Sequence, residues 1–238
     1  MSETPRGTTT RGSGREDGRS ARARATRARI VAAATGLFTT AGYTATSITA
    51  IAAEAGVSEQ TVYYAFGTKR AVLATALDLA VAGDDEPVPT LERPWVRDAL
   101  ADPDPLGQIR RQVAGAGDIY LRAAPLLDVV RSAATTDPDL AGVWAVNVRQ
   151  RLTVMRVFMD ALARKTPLRD GLDTDTASDI ALAVLSPETY NLLVGERGWE
   201  HARWQAWAAD ALGRLLTTLP SAAAPDPAPD RDPLPGRG

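Results

Sequence analysis

The chain contains no cysteine, so disulfide bridges and thiolate metal sites are excluded. It contains one histidine, His201, too few for a histidine metal cage or a histidine-rich catalytic centre. No apolar run approaches the ~18–20 residues that span a bilayer. The basic start followed by IVAAATGLF only faintly resembles a secretion signal. Thr35 and Gly36 interrupt that segment, and its apolar residues keep one helical face. A cytoplasmic protein with no membrane partner is therefore expected. Phosphate-binding loops and dinucleotide glycine fingerprints are missing too. Ser186, Asp179 and His201 do not make a triad, because nothing like Gly-x-Ser-x-Gly surrounds Ser186. The acidic pairs Asp102/Asp104, Asp137/Asp139 and Asp173/Asp175 each precede a helix start, where capping accounts for them. The expectation is a protein that is not an enzyme and needs no metal or cofactor.

What is present points elsewhere. Hydrophobic residues make up 45% of the 238, enough for a folded core. Charge is unevenly spread: residues 1–82 hold ten Lys and Arg against six Asp and Glu, and the remainder 17 against 23. A basic first part on an acidic remainder suits a nucleic-acid-facing end. Within that part, ITAIAAEAGVSEQTVYYAF (Ile48 to Phe66) reads as two short helices around a tight turn at Ala55-Gly56-Val57. Ile48, Ile51, Ala52 and Ala55 share one face, as do Val62 and Phe66. Gly56 suits a left-handed turn residue, and Ser58 can cap the second helix. So short a turn makes the helices cross steeply, the geometry of a DNA-binding helix-turn-helix.

The predicted fold is all-α throughout. Residues 1–25 read as a disordered Arg-rich tail. Residues 26–82 form a helix-turn-helix domain of four helices. The first, from Thr26, carries Ile30, Ala34, Leu37, Phe38 and Ala41 on one face; Gly42 stops it and Tyr43 packs in the joint. Thr46 and Ser47 can cap the next helix, and Thr68 caps a fourth bearing Val72, Leu73, Ala76, Leu77 and Ala80. Residues 83–220 form a larger helical domain for effector binding and dimerisation. Its expected helices are 94–101, 104–124, 125–135, 137–165, 173–185, 187–194 and 200–219. Residues 221–238 are too rich in proline to continue a helix and read as a second disordered tail.

Phe38 to Leu73, FTTAGYTATSITAIAAEAGVSEQTVYYAFGTKRAVL, resembles the amino-terminal domain of TetR-family transcriptional regulators (tetracycline-repressor-like). The resemblance implies that Tyr63 and Lys69 contact DNA phosphates and that Thr61 and Ser47 touch phosphate through their hydroxyls. It also implies that Glu59, Gln60 and Tyr64, with Thr49 on the preceding helix, face base edges; Ser58 opens this segment and is counted with it. Gln60 can pair with adenine and Tyr64 can meet a thymine methyl. Ala65 departs from the family pattern, which often has histidine or another polar residue there, and loses a contact.

One helix-turn-helix reads too few base pairs to discriminate within a genome, so a homodimer on a palindromic double-stranded DNA operator is expected. Trp204, Trp207, Ala208, Ala211, Leu215 and Leu219 form a broad stripe and are the candidate dimer seam. The family also implies an effector pocket in the larger domain. Trp95, Ile119, Trp144, Met155, Phe158 and Tyr190 are its candidates by size and inward spacing, which favours a small apolar or aromatic effector. The expected function is a repressor released from its operator by that ligand. The alternatives are an effector-less regulator or activator, or a helical interaction protein without DNA binding.

Overall fold

The computed structural model describes residues 13–84, 86 and 88–219, with side chains from residue 20 onward. Among these the chain forms ten α-helices and no strand, apart from one bridge between Leu168 and Thr217. The all-α reading therefore holds. The Pro-rich tail at 221–238 and residues 1–12 of the Arg-rich tail lie outside the described residues.

Helix α1 (Ser13–Ala45) begins ahead of the expected Thr26. Residues 21–29 are nearly all Arg and Ala, two of the best helix formers, so the helix extends backward as an exposed arm without an apolar face. Gly42, at φ 81° and ψ 170°, interrupts it where the sequence places the stop. Next come α2 (Ile48–Ala55), α3 (Glu59–Phe66) and α4 (Lys69–Ala82). A short 3-10 turn at Thr90–Glu92 leads to α5 (Pro94–Ala101), opened by its proline.

The two helices expected at 104–124 and 125–135 are one, α6 (Pro105–Ala133). Pro125 is exposed, while Ala123, Ala124, Leu126, Leu127 and Val130 around it are buried. Burial of that continuous face offsets the ~3 kcal/mol that an interior proline costs. Helices α7 (Pro138–Lys165) and α8 (Thr174–Val184) follow; Asp173 caps the latter by accepting from the Thr176 N–H at 2.7 Å. Helix α9 (Pro187–Tyr190) continues as a π-helical turn at Asn191–Glu196. The last helix, α10 (His201–Leu216), ends before the expected Leu219, because the Arg169 N–H takes the Leu216 carbonyl at 2.9 Å.

Two compact units result. The first is Met1–Glu86 with Arg122–Asn147, so it takes in the end of α6 and the start of α7 besides α1 to α4. Ile30, Phe38, Ile51, Val62, Val72 and Leu73 are buried in it with Leu126, Leu127, Val130 and Leu140. Arg122 on α6 donates to the Ala80 carbonyl at 3.1 Å. The second unit is Pro87–Leu121 with Val148–Gly238. Its buried side chains include Ile109, Val113, Phe158, Met159, Leu162, Trp204 and Leu212. Each such side chain, taken fully out of water, contributes about 1.5–3 kcal/mol.

Candidate nucleic-acid interface

Local hydrogen bonds shape the helix-turn-helix. Ser47 Oγ accepts from the Ala50 N–H at 3.0 Å and caps α2 alone. Thr46, the other expected cap, is buried and donates back to the Gly42 carbonyl at 2.8 Å. Gly56 sits at φ 64°, ψ 41°, a left-handed conformation that a Cβ would strain. Ser58 Oγ then accepts from the Thr61 N–H at 3.1 Å and shares a 2.8 Å bond with Thr61 Oγ1. The hydroxyls of Ser47, Ser58 and Thr61 thus all serve the fold, with oxygen lone pairs or protons to spare for phosphate.

Helix α3 turns Val62 fully inward. Arg27 of α1 lies 4.2 Å over the Phe66 ring and donates to the Ala65 carbonyl, so this end of α3 is pinned to α1. Glu59, Gln60, Tyr63 and Tyr64 are exposed, Tyr64 by 94%, and Thr49 is exposed on α2. Spaced i, i+1, i+4 and i+5, the four α3 residues form a strip two side chains wide. A tyrosine that packs on almost nothing adds nothing to the core; its ring and hydroxyl are free for a partner.

Lys69 stands at the start of α4, where Thr68 caps the helix through the Ala71 N–H at 3.1 Å. Its ammonium donates to the Tyr43 and Thr46 carbonyls, both at 2.8 Å, and sits 4.2 Å over the Tyr43 ring. Tyr43 in turn stacks on Phe38, with centroids 5.8 Å apart. Lys69 therefore ties the end of α1 to the entry of α2, and one of its three N–H groups remains for a phosphate. Burial lowers its pKa, partly opposed by the field of Asp137. Beside it Arg70 makes an ion pair with Asp139, at the start of α7. The sequence reading missed Arg27 and Arg70 and took Asp139 only for a cap; their partners are tens of residues away and leave no local signal.

The effector candidates separate. Trp95 stacks on Phe158 at 6.1 Å, and Met155 and Phe158 are buried in the same unit. Ile119 is half-buried there. Tyr190 joins a different cluster with Tyr120, Trp204 and His201, and its hydroxyl bonds His201 Nδ1 at 2.9 Å. Tyr120 is buried, donates to the Leu185 carbonyl at 2.5 Å, and has its pKa pushed up to about 12 by that burial. Trp144 belongs to the first unit. Gln112, buried beside Met155, was not anticipated.

The stripe on α10 needs a correction. Trp204 and Ala208 are fully buried within the single chain, so they have no surface to give a partner. Trp204 is taken up by Tyr120 and Tyr190, whose rings meet it edge-on at 6.0 and 5.0 Å. Trp207, Ala211 and Leu219 remain half-buried and Leu215 exposed. Among the described residues no group of three His, Cys, Asp or Glu side chains is placed to hold a metal, and no helix is long and apolar enough to cross a membrane.

Comparison with known proteins agrees with the geometry. Residues 30–76, which hold the whole helix-turn-helix, match the family model described as bacterial regulatory proteins, tetR family. A solved complex of SmeT with triclosan shares the fold at TM-score 0.64 and 20% identity, over 87% of this chain and 100% of that one. NalD of Pseudomonas aeruginosa, the secondary repressor of the MexAB-OprM multidrug efflux pump, does so at TM-score 0.62 and 18% identity, over 82% and 98%. A Saccharomonospora viridis protein in complex with choline does so at 0.60 and 19%, over 80% and 96%. A comparison with curated sequences gave no match. Members of the matched family are regulators and not enzymes. Over residues 30–76 the chain matches the tetR family of bacterial regulatory proteins.

Proposed function

We propose that the protein is a sequence-specific transcriptional repressor. It binds a palindromic operator as a homodimer and leaves it when a small apolar or aromatic molecule binds the second unit. The observation that carries this reading is the outward strip Glu59, Gln60, Tyr63 and Tyr64 on α3, backed by a turn held by Gly56 and Ser58. Such a strip offers a carboxylate, an amide and two phenols to the edges and backbone of a major groove. Two copies would read half-sites about 34–36 Å apart, or a multiple of that. Trp207, Ala211, Leu215 and Leu219 are the residues of the α10 stripe that keep surface for the second copy. The triclosan and choline complexes of the similar structures support a ligand for the second unit. The ligand acts by binding one conformer more tightly than the other, which alone can shift an equilibrium.

The test is titration of the purified chain with the DNA flanking its own gene, alongside sedimentation at low micromolar concentration. A salt-dependent shift by a dimer is expected. A monomer, or equal binding to shuffled DNA, would sink the proposal.

A further inference from the structure

Two buried glutamines lie one turn apart on α6, and they are treated differently. Gln108 is paired at both ends: Nε2 donates to the Phe158 carbonyl at 2.8 Å, and Oε1 accepts from Lys165 Nζ at 2.6 Å. Gln112, 1% exposed, has only the Met155 sulfur at 3.4 Å from Nε2, and its Oε1 has no partner. Turning the amide over would set its oxygen against a sulfur that has no proton to give and leave both ends unpaired. Buried amides without partners are uncommon because the lost hydration is not repaid.

The surroundings are aromatic and apolar. Gly115, one turn beyond Gln112 on α6, has no side chain, and the Trp95 indole fills that notch. A Cβ on Gly115 would come within 2.3 Å of Trp95 Cε3. The same indole lies near-parallel to Phe158, at an interplanar angle of 15°. A slot for one flat ring thus exists between α6 and Phe158, and it is filled by a half-buried side chain from the eight-residue α5. Lys165, bonded to the Gln108 amide and to the Leu100 carbonyl at 2.9 Å, already has its charge met by the field of Asp102. A charged ligand would lose its hydration there without compensation.

We propose that Gln112 Oε1 is the acceptor for the effector. The effector is a neutral, flat aromatic molecule with one strong hydrogen-bond donor, a phenol or an aromatic N–H. Its ring takes the place of the Trp95 indole against Gly115 and Phe158, and Trp95 swings outward. The inference rests on the reading that the second unit binds a small molecule.

The experiment is calorimetric titration of the full chain with 2-naphthol and with 2-methoxynaphthalene, which accepts but cannot donate. The wild type should bind 2-naphthol at least about tenfold more tightly. Gln112→Leu should bring that ratio to about one while leaving 2-methoxynaphthalene within about twofold of its wild-type value. Trp95→Ala should tighten both compounds, since nothing then has to leave the slot. A ratio near one in the wild type, a ratio that persists in Gln112→Leu, or no binding of either compound at millimolar concentration would overturn the proposal. Operator binding is followed in the same samples. Tight, Gln112-dependent binding of 2-naphthol that leaves the operator complex unchanged supports this inference and removes only the release reading.

Discussion

Gln60 and Gln112 each carry an amide oxygen without a protein partner, one on the outside of the first unit and the other inside the second. On α3 the unpaired groups stay in water and lose nothing until a partner arrives. Inside α6 the unpaired oxygen is already dehydrated, so the fold bears the cost beforehand. The lesson is how each surface selects. Each bond the outer strip forms must first displace water; the inner oxygen has no water to lose, so a donor that reaches it gains more. The two lysines make a parallel contrast. Lys69 bonds carbonyls beside the helix-turn-helix of the first unit, and Lys165 does so inside the second.

The sharpest way to break this contrast is a pair of aromatic truncations. Phe158→Ala removes a fully buried ring and should cost about 3–5 kcal/mol in urea unfolding. Tyr64→Ala, at a residue 94% exposed, should stay within about 0.5 kcal/mol of wild type yet weaken operator binding. Equal stability losses would mean that α3 is packed and not poised.

Lys69→Met comes next. It leaves the Tyr43 and Thr46 carbonyls without their donor and should cost about 2 kcal/mol, besides weakening binding to every DNA sequence. The pH dependence has a definite sign. Burial puts the folded pKa of Lys69 below its usual 10.5, so between the two values the unfolded chain binds more protons. The charge on Lys69 therefore takes away part of what its hydrogen bonds contribute at neutral pH, and that loss fades as pH rises from the lowered folded value to 10.5. The wild type should gain stability relative to Lys69→Met across that alkaline window, measured by melting the two side by side.

Smallest is the exposed ion pair. Asp139→Asn breaks its link to Arg70 and should change stability by no more than about 1 kcal/mol, an effect that vanishes at high salt. A larger loss would show that the start of α7 is an essential support of the reading unit.

Legibility followed sequence distance. The helix-turn-helix was readable because its signals are local: Gly56 turns the chain, and Ser58 and Thr68 cap the helices three residues before the amides they hold. Pro94 and Pro138 marked the starts of α5 and α7 in the same way. Pro125 misled, because the buried Leu126, Leu127 and Val130 carry α6 through it. The stripe on α10 was real, but periodicity says which face is apolar and not which partner covers it, so Trp204 and Ala208 were assigned outward. The carbonyls held by Lys69 lie 23 and 26 residues away. Gln112 carries no sequence signal, since a glutamine at helical spacing reads as surface until its neighbours are known.

The most direct measurement is binding of wild type and Gln60→Ala to the operator and to the set of its single-base variants. If the α3 strip reads bases, Gln60→Ala should lose discrimination at one position in each half-site, by about 1–3 kcal/mol, and keep it elsewhere. Uniform weakening across every variant would contradict the account, because the strip would then be touching only the DNA backbone.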